Sequence, residues 1–591
     1  MKYNILLNIL DEIRNECPAK YNIKYQKGKR DLNLINQARA RAYIHLFLKV
    51  SFGILDFNER EHYVTDGTQD AGIDGYYIHE EDKTVYFIQS KFRTNEKNFE
   101  VKEISYEELL AMDIDRVTNG DTNDENGIPY SGKILQLQRE LSNLPDIARY
   151  KYKVIVIANI TNVSNSTLKK LCGGYPPEIF NYEKCYEKLI FPVITGTYFN
   201  AVDLNINIDL SNKNAGSKIN YTVQTKASEC DITVLFVPTI ELAKVMLKYK
   251  NSILKYNPRS YLEHDGRYIH EAIRETIIKN ETNEFALFNN GITMLSEETY
   301  INEKIGQKNK AQLTVKNPQI LNGGQTCYTL SRIYEENKFP NVEDIFNEKE
   351  VLLKIITLRD NNSEEEKLNL IDSISNATNK QTPVINADKF ANEVVHVNLQ
   401  KIIFDKYGLL YERKRGEFAD GVYNNYIDKN MIIERNLFLR LYYASNGDIA
   451  KSIRKKLFQQ NIIPEDIVTN LEALDKFYIG YNVFKEIYDI KNPIKKVSLS
   501  DYSKVYLYTQ YLYTSKTIEW VNEITDNIPR VKKIWNDFMR SMENKYPRRK
   551  KRKKDIVTGE KVETLLKWEY NYNNIKKDLE AYIEENNVIQ L

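Results

Sequence analysis

The chain has 591 residues, 42% of them apolar and 11% aromatic, and 84 basic residues against 82 acidic ones give a formal net charge of +2. That length exceeds what one hydrophobic core usually supports, so two or more globular domains are expected, and the near-neutral balance excludes polyanion binding driven by the global field alone. Five scattered cysteines with no CxxC pair exclude a disulfide framework and a zinc site, and the lack of HxxxH spacing and of a GxxxxGK[ST] loop argues against zinc hydrolysis and P-loop NTPase activity.

At the start of the chain, "MKYNILLNILDEIRNEC" carries Asp11 and Glu12 where a signal peptide needs an unbroken apolar core. No apolar stretch of about 18 residues occurs anywhere. The expectation is a cytoplasmic protein with no membrane contact.

The next informative stretch is "DAGIDGYYIHEEDKTVYFIQSK", residues 70–91. Tyr76 to Ile78 and Val85 to Ile88 are short runs of strand-favouring residues, and the polar Glu80 to Lys83 between them predicts a hairpin. A turn of two or four residues centred between Glu81 and Asp82 puts Asp74 opposite Gln89, about 5 Å away on one face of the sheet. Lys91 then shares that face, above a floor of Tyr76, Ile78, Val85 and Phe87. A turn of three residues would instead place Asp74 and Gln89 on opposite faces. A carboxylate and a neutral oxygen donor suit a hard cation such as Mg2+, or Mn2+, while a lysine ammonium steadies an attacking water or a pentavalent phosphate. The plainer alternative is a solvated hairpin whose Asp, Gln and Lys are rim residues.

The segment "DGTQDAGIDGYY...VYFIQSKF" resembles the D-x(n)-Q-x-K variant of the PD-(D/E)XK restriction-endonuclease-like superfamily, in its Mrr-like branch. The resemblance implies catalytic roles for Asp74, Gln89 and Lys91, with Asp74 and Gln89 as metal ligands. It also implies a helix ahead of the hairpin, which "NQARARAYIHLFLKVSFGIL" (residues 36–55) fits. Many members carry a metal-supporting Glu in that helix; this stretch has no acidic residue, and Glu12, Asp66 and Asp70 are candidate substitutes.

Further along, "TNGDTNDENG" (118–127) reads as a mobile loop. "YKVIVIANIT" (152–161) reads as a buried strand, and "LIFPVITGTYFNAVDL" (189–204) as one more strand and its exit. The polar "SNKNAGSK" (211–218) reads as a linker. From about Asp231 come "NPRSYLEHDGRYIHEAIRETI", "FALFNNGITM" and "NPQILNGGQTCYTL". The last of these predicts a strand over 318–321, a glycine turn and a helix from near Thr326. A helix start behind two glycines offers free N–H groups to an anion, so Asn290, Gly291, Asn322, Gly323, Gly324, Gln325 and Thr326 are candidate ligand-binding residues. The alternative is a tight strand-to-helix connection with Thr326 as the cap.

These motifs, with "SNATNKQTPVINADKFAN" (375–392) and "YERKRGE" (411–417), resemble the AIPR family, named for abortive infection and phage resistance. The resemblance covers roughly residues 230–460 and implies a bacterial anti-phage defence protein, often coupled to an N-terminal nuclease-like domain. Loop amides (Asn289, Asn290, Asn322, Gln325, Asn376, Asn379, Gln381) with Arg259, Arg413, Lys414 and Arg415 could read base edges and phosphates; turn positions and a solvated basic loop are the plainer reading. Residues 420–591 show apolar residues at helical spacing, with tyrosines expected to pack on helix faces. The cations Arg548, Arg549, Lys550, Lys551, Arg552, Lys553 and Lys554 form one unbroken run. Such a run should be an exposed loop or hairpin that grips phosphates, unless it is only a solvated charge block.

The expectation is an α/β restriction-endonuclease-like domain over 1–215, a central mixed sheet flanked by helices. An α+β AIPR-like core over 230–460 and a helical C-terminal region over 461–591 follow it. The function expected is a Mg2+- or Mn2+-dependent DNA endonuclease in anti-phage defence, acting as a homodimer, with the AIPR-like region sensing a nucleotide or phage-derived trigger. The rival is a non-catalytic nucleic-acid-binding or nucleotide-sensing regulator with an inactive nuclease-like domain.

Overall fold

The computed structural model describes residues 2–26, 31–80, 82–104, 109, 111–160, 163–199, 203–209, 218–225, 229–257, 267–279, 282–303, 310–336, 342–358, 370–371, 373–375, 377, 391, 393–454, 457, 463–488, 497–513, 524–548, 550–554, 561–565 and 568–586. It divides into two compact units, residues 1–383 with 414–431, and residues 384–413 with 432–591. Among the described residues no helix is long and apolar enough to cross a membrane.

The first unit opens with α1 (Lys2–Asn15), α2 (Leu32–Phe52) and the short α3 (Phe57–His62). Asp31 starts α2 by accepting from the amides of Asn33 and Leu34, and Gly53, in left-handed conformation at φ 68°, stops it. The hairpin strands β1 (Gly75–His79) and β2 (Thr84–Ser90) follow, then α4 (Gly132–Asn143), β3 (Lys151–Ile157) and β4 (Pro177–Phe180). The sheet order is β1-β2-β3-β4, with the hairpin antiparallel and β2, β3 and β4 parallel. α4 lays Ile134, Leu137 and Leu141 over one face, against Tyr76, Val85, Phe87, Val154 and Val156. On the other face α2 approaches through Ile44, beside Gly75, and Phe47, whose ring lies 5.1 Å from that of Phe180.

Pairing of Gly75 with Ile88 and of His79 with Thr84 fixes a four-residue turn, one of the two even lengths expected, and the ladder ends at Gly75, one residue short of Asp74. The stretch at 118–127 leaves the helix Ile114–Asn119 at Gly120 and closes in a turn, where the Asp124 carboxylate accepts from the amides of Asn126 and Ile128 while Asn123 bridges Pro129. One expectation fails nearby. The run at 189–196 is helical rather than a strand: Tyr186–Ile190 form a wide turn that continues into the helix Phe191–Thr195. Pro192 in its first turn and Gly196 at φ 66° just past its end are helix punctuation. The strand near its expected exit is β5 (Asp203–Asp209), which belongs to a different sheet. The predicted linker lies outside the described residues except for Lys218.

β6 (Ile219–Gln224), β7 (Glu229–Pro238), α5 (Thr239–Tyr249), β8 (Ile292–Ser296), β9 (Glu298–Asn302), β10 (Lys310–Lys316), β11 (Gln319–Asn322), α6 (Gly324–Glu336) and β12 (Glu350–Leu358) follow in this unit. They form a three-stranded sheet, β5-β10-β9, and a five-stranded one, β11-β8-β12-β7-β6. Both bury apolar side chains in one core shared with α5 and α6.

The second unit is mainly helical: α7 (Val394–Tyr407), α8 (Arg435–Ser445), α9 (Leu471–Ile487), α10 (Leu499–Tyr513), α11 (Ile524–Lys545) and α12 (Ile575–Glu585). Two small ribbons join them, β13 (Leu410–Glu412) with β14 (Ile432–Glu434), and β15 (Lys550–Lys554) with β16 (Lys561–Leu565). Its tyrosines, Tyr442, Tyr481, Tyr502 and Tyr508 among them, are buried in the helical core, as the sequence spacing leads one to expect.

Candidate functional site

The loop between α3 and β1, "TDGTQDAGID", folds back on the end of the hairpin. Its chain runs through left-handed conformations at Gln69, Ala71 and Gly72, two of them without the glycine that favours such angles. At Gly72 an added Cβ would collide with the Ala111 carbonyl. The backbone is tied down at both ends: Asp74 donates to the Ile88 carbonyl at 2.8 Å, and its own carbonyl accepts from Thr65 and Asp66 at 3.0 Å. Ser131, which caps α4, donates to the Gln69 carbonyl at 2.8 Å, and Asp113 donates to the Ala71 carbonyl at 3.0 Å.

This folding gathers carboxylates. One oxygen each of Asp66, Asp70 and Asp74 lie within 4.8 Å of one another, the one such group of acidic, histidine or cysteine side chains among the described residues. Asp74 is 6% exposed, and its Oδ2 accepts from the Ser90 amide at 2.6 Å. Burial pushes its carboxyl up to about 7; the Ser90 hydrogen bond and Lys91 pull it down, while Asp66 and Asp70 add to the rise. Asp70 accepts from Gly67 and Gly72 at 3.1 and 3.0 Å and is also raised, chiefly by burial. Gln89 is 2% exposed and donates its amide hydrogen to the Gly72 carbonyl at 2.9 Å, so a cation could use only its Oε1. Lys91 continues the β2 ladder, its amide donating to the Ile157 carbonyl at 3.1 Å, and its charge reaches both Asp70 and Asp74. Of the three candidates named for the missing helix Glu, Asp66 and Asp70 join this group and Glu12 does not.

Behind the acidic loop is a buried network not anticipated from the sequence. Arg41, on α2, donates to the Asp66 carboxylate at 3.0 Å and to the Asp66 carbonyl, and its other nitrogen reaches Glu61 at 3.4 Å. Glu61 also accepts from Lys24 at 3.1 Å, from Tyr25, and from His45 Nε2 at 3.1 Å. Burial works to raise Glu61, but the His45 hydrogen bond, the Arg41 charge and the Tyr25 hydroxyl hold it at about 2. Burial lowers His45 to about 4 against the pull of Glu61, so the imidazole is neutral and donates through Nε2. A partial signal was present in the sequence: Arg41 and His45 are four residues apart, hence neighbours on one face of the helix.

The second group of candidates meets where β8 and β11 pair. Asn289 donates to the Thr326 hydroxyl at 3.2 Å and accepts from the Gly291 amide at 3.0 Å, so the "NNGIT" and "NGGQT" turns form one edge. Gly291 and Gly323 have φ of 81° and 90°, and a Cβ on Gly323 would sit 2.8 Å from Ile292. The helix begins at Gly324, two residues before the predicted start, and the Cys327 amide already donates to Gly323; Thr326 therefore lies inside the first turn and is not the cap.

A family model described as AIPR protein matches residues 254–557, more than half of the chain. The chain belongs to the AIPR family. No curated protein and no solved structure matches it. AIPR membership suggests a part in phage defence by abortive infection.

The AIPR match takes in both glycine turns and the basic run. Within it, two of the expected cations are committed to structure. Arg413 donates to Gln400 and to the Ala391 carbonyl at 3.0 and 2.9 Å, and the buried Lys414 donates to the carbonyls of Lys255 and Asn257 at 2.8 and 3.3 Å. Lys550–Lys554 form β15 of a hairpin, and Arg548 pairs with Glu543 at 2.9 Å. Arg549, the side chains of Lys550, Lys551, Arg552, Lys553 and Lys554, and Arg259, Asn376, Asn379 and Gln381 lie outside the described residues.

Proposed function

We propose that this AIPR protein is a metal-dependent endonuclease of phage defence, cutting DNA at the acidic site of its first unit. The observation that carries the reading is the convergence of Asp66, Asp70 and Asp74 beside Gln89 and Lys91, on a loop whose backbone is held in costly conformations. The order helix, antiparallel hairpin, crossover helix and parallel strand in α2, β1, β2, α4 and β3 supports a restriction-endonuclease-like core.

The donor set suits Mg2+ or Mn2+: hard oxygens only, several carboxylates, no sulfur or imidazole. Asp66, Asp70 and Asp74 would hold the ion, with Gln89 Oε1 as the neutral donor. A bound divalent ion supplies an activated water and neutralises charge on the phosphate. Asp74 would have to give up its proton to hold the ion, since burial raises its carboxyl to about 7. Lys91 places an ammonium where charge builds on the phosphate oxygens. Arg41 fixes Asp66 from behind through two hydrogen bonds. One such site cuts one strand, so cleavage of both strands calls for two copies of the chain.

Supercoiled plasmid, incubated with purified wild-type or Asp74→Ala protein in Mg2+, Mn2+ or EDTA, tests this. Nicking or linearisation that needs metal and is lost in the variant is the expected result. If wild-type protein binds DNA but never cuts it in either metal, the non-catalytic reading takes its place.

A further inference from the structure

Away from the acidic site, the first unit encloses a cleft of about 560 Å³. That lies within the range of roughly 300–1,000 Å³ common for small-molecule sites. Its wall is built from Lys49 of α2, Tyr198, Lys244 and Lys248 of α5, Tyr334 of α6, and Tyr426.

The charges are sorted in a way that indicates what fits. Every carboxylate in the wall already has a partner. Glu16 pairs with Lys49 at 2.8 Å and with Arg60, and Asp420 pairs with Lys250 at 2.7 Å and Arg332 at 3.5 Å. Glu335 pairs with Arg332 at 2.7 Å, and Asp56 caps α3. The acceptors are thus occupied, while donors line the opening. Lys244 and Lys248 are exposed one turn apart on α5, which puts both ammonium groups on one side of the mouth. Lys244 has a pairing with Glu241 at 3.2 Å, and Lys248 lies 5.3 Å from the ring centres of Phe199 and Tyr249. Burial raises the phenols of Tyr198, to about 12, and Tyr426, so both remain hydroxyl donors at neutral pH.

Two exposed ammonium groups at the rim, tyrosine rings and hydroxyls within, and no carboxylate left uncompensated describe a receptor for an acceptor-rich anion that also carries a flat ring. We propose that this cleft binds a nucleotide, its phosphates at Lys244 and Lys248 and its base among Tyr198, Tyr334 and Tyr426. The assignment stands apart from the nuclease reading, since it uses none of the acidic-site residues.

Calorimetric titration of the full chain with ATP, GTP, UTP and the linear dinucleotide pApA, all in EDTA so that no metal bridges ligand to carboxylates, tests it. Inorganic tripolyphosphate serves as the comparison. Saturable binding of at least one nucleotide, stronger than that of tripolyphosphate, is expected. The double variant Lys244→Glu with Lys248→Glu should weaken it about tenfold or more. Tyr198→Ala should weaken the nucleotide and leave tripolyphosphate unaffected, while Lys316→Glu, on β10, should change neither. Because both lysines are exposed, the double variant should melt like wild type, and its melting curve is recorded alongside. No binding by any probe, equal affinity for tripolyphosphate, or affinity unchanged in the lysine variant would each overturn the proposal.

Discussion

Burial lifts the Asp74 carboxyl from 3.8 to about 7, and the folded chain therefore holds a proton there that the unfolded chain has already released. Between those values stability from this group falls as pH rises, and above pH 7 the folded state carries the full penalty of a buried charge. Asp74→Asn removes the penalty and keeps an oxygen for the Ser90 amide. In EDTA the variant should match wild type at about pH 4 and exceed it at pH 8 by on the order of 4 kcal/mol. Denaturant unfolding at both pH values measures the gap, and a gap that does not widen with pH would show that Asp74 is not held protonated. Mg2+ should raise the wild-type melting temperature at pH 8 and leave the variant unchanged. Arg41 acts one layer back. Arg41→Lys retains the charge but cannot hold Asp66 and Glu61 together, so Mn2+ affinity should drop about 10–100-fold with little loss of stability. Titration calorimetry reads the affinity; an unchanged value would reduce Arg41 to a packing role.

The element that makes the site is the 65–74 loop rather than either strand. Gly72→Ala would force a Cβ against the Ala111 carbonyl at a φ of 68°, and the loop must move to accept it. A destabilisation of about 1–3 kcal/mol and loss of metal binding are expected, measured by thermal unfolding and Mn2+ titration. Full metal affinity in that variant would mean the carboxylates do not need this backbone. The hairpin was legible in advance because polar residues bound its turn and alternation fixes faces once the turn length is known. Asp66 and Asp70 stood in the sequence only as two of three candidates beside Glu12; which of them converge on Asp74 was not legible, since that depends on left-handed angles at Gln69 and Ala71 that composition does not announce. The helix at Phe191–Thr195 was misread for a different reason. Its apolar run outweighed Pro192 and Gly196, which by their positions already spelled a short helix with a start and a stop. At the "NGGQT" turn the glycines marked the right bend, yet the helix starts at Gly324 because Gly323 itself supplies the first accepting carbonyl.

At the scale of the whole molecule, charge balance and local charge give opposite expectations for nucleic acid. A net charge of +2 over 591 residues steers nothing, so any DNA affinity must come from clusters. The densest is the run from Arg548 to Lys554, whose last five residues form one strand of a two-stranded ribbon inside the second unit. A strand advances about 3.4 Å per residue and turns successive side chains to opposite faces, so a run of five cations in such a ribbon would present two or three of them to one duplex. If it grips DNA, replacing Lys550, Lys551, Arg552, Lys553 and Lys554 by Gln should weaken DNA binding without regard to sequence. The slope of log affinity against log salt should then lessen by about 2–3, close to one for each phosphate that is no longer neutralised. Fluorescence anisotropy with a labelled duplex between low and physiological salt measures that slope. Cleavage of a saturating short duplex should stay near the wild-type rate, because Asp74 and Lys91 are untouched. A salt slope that does not change would make the run a solvated charge block, and the source of any DNA affinity would then have to be sought in the first unit.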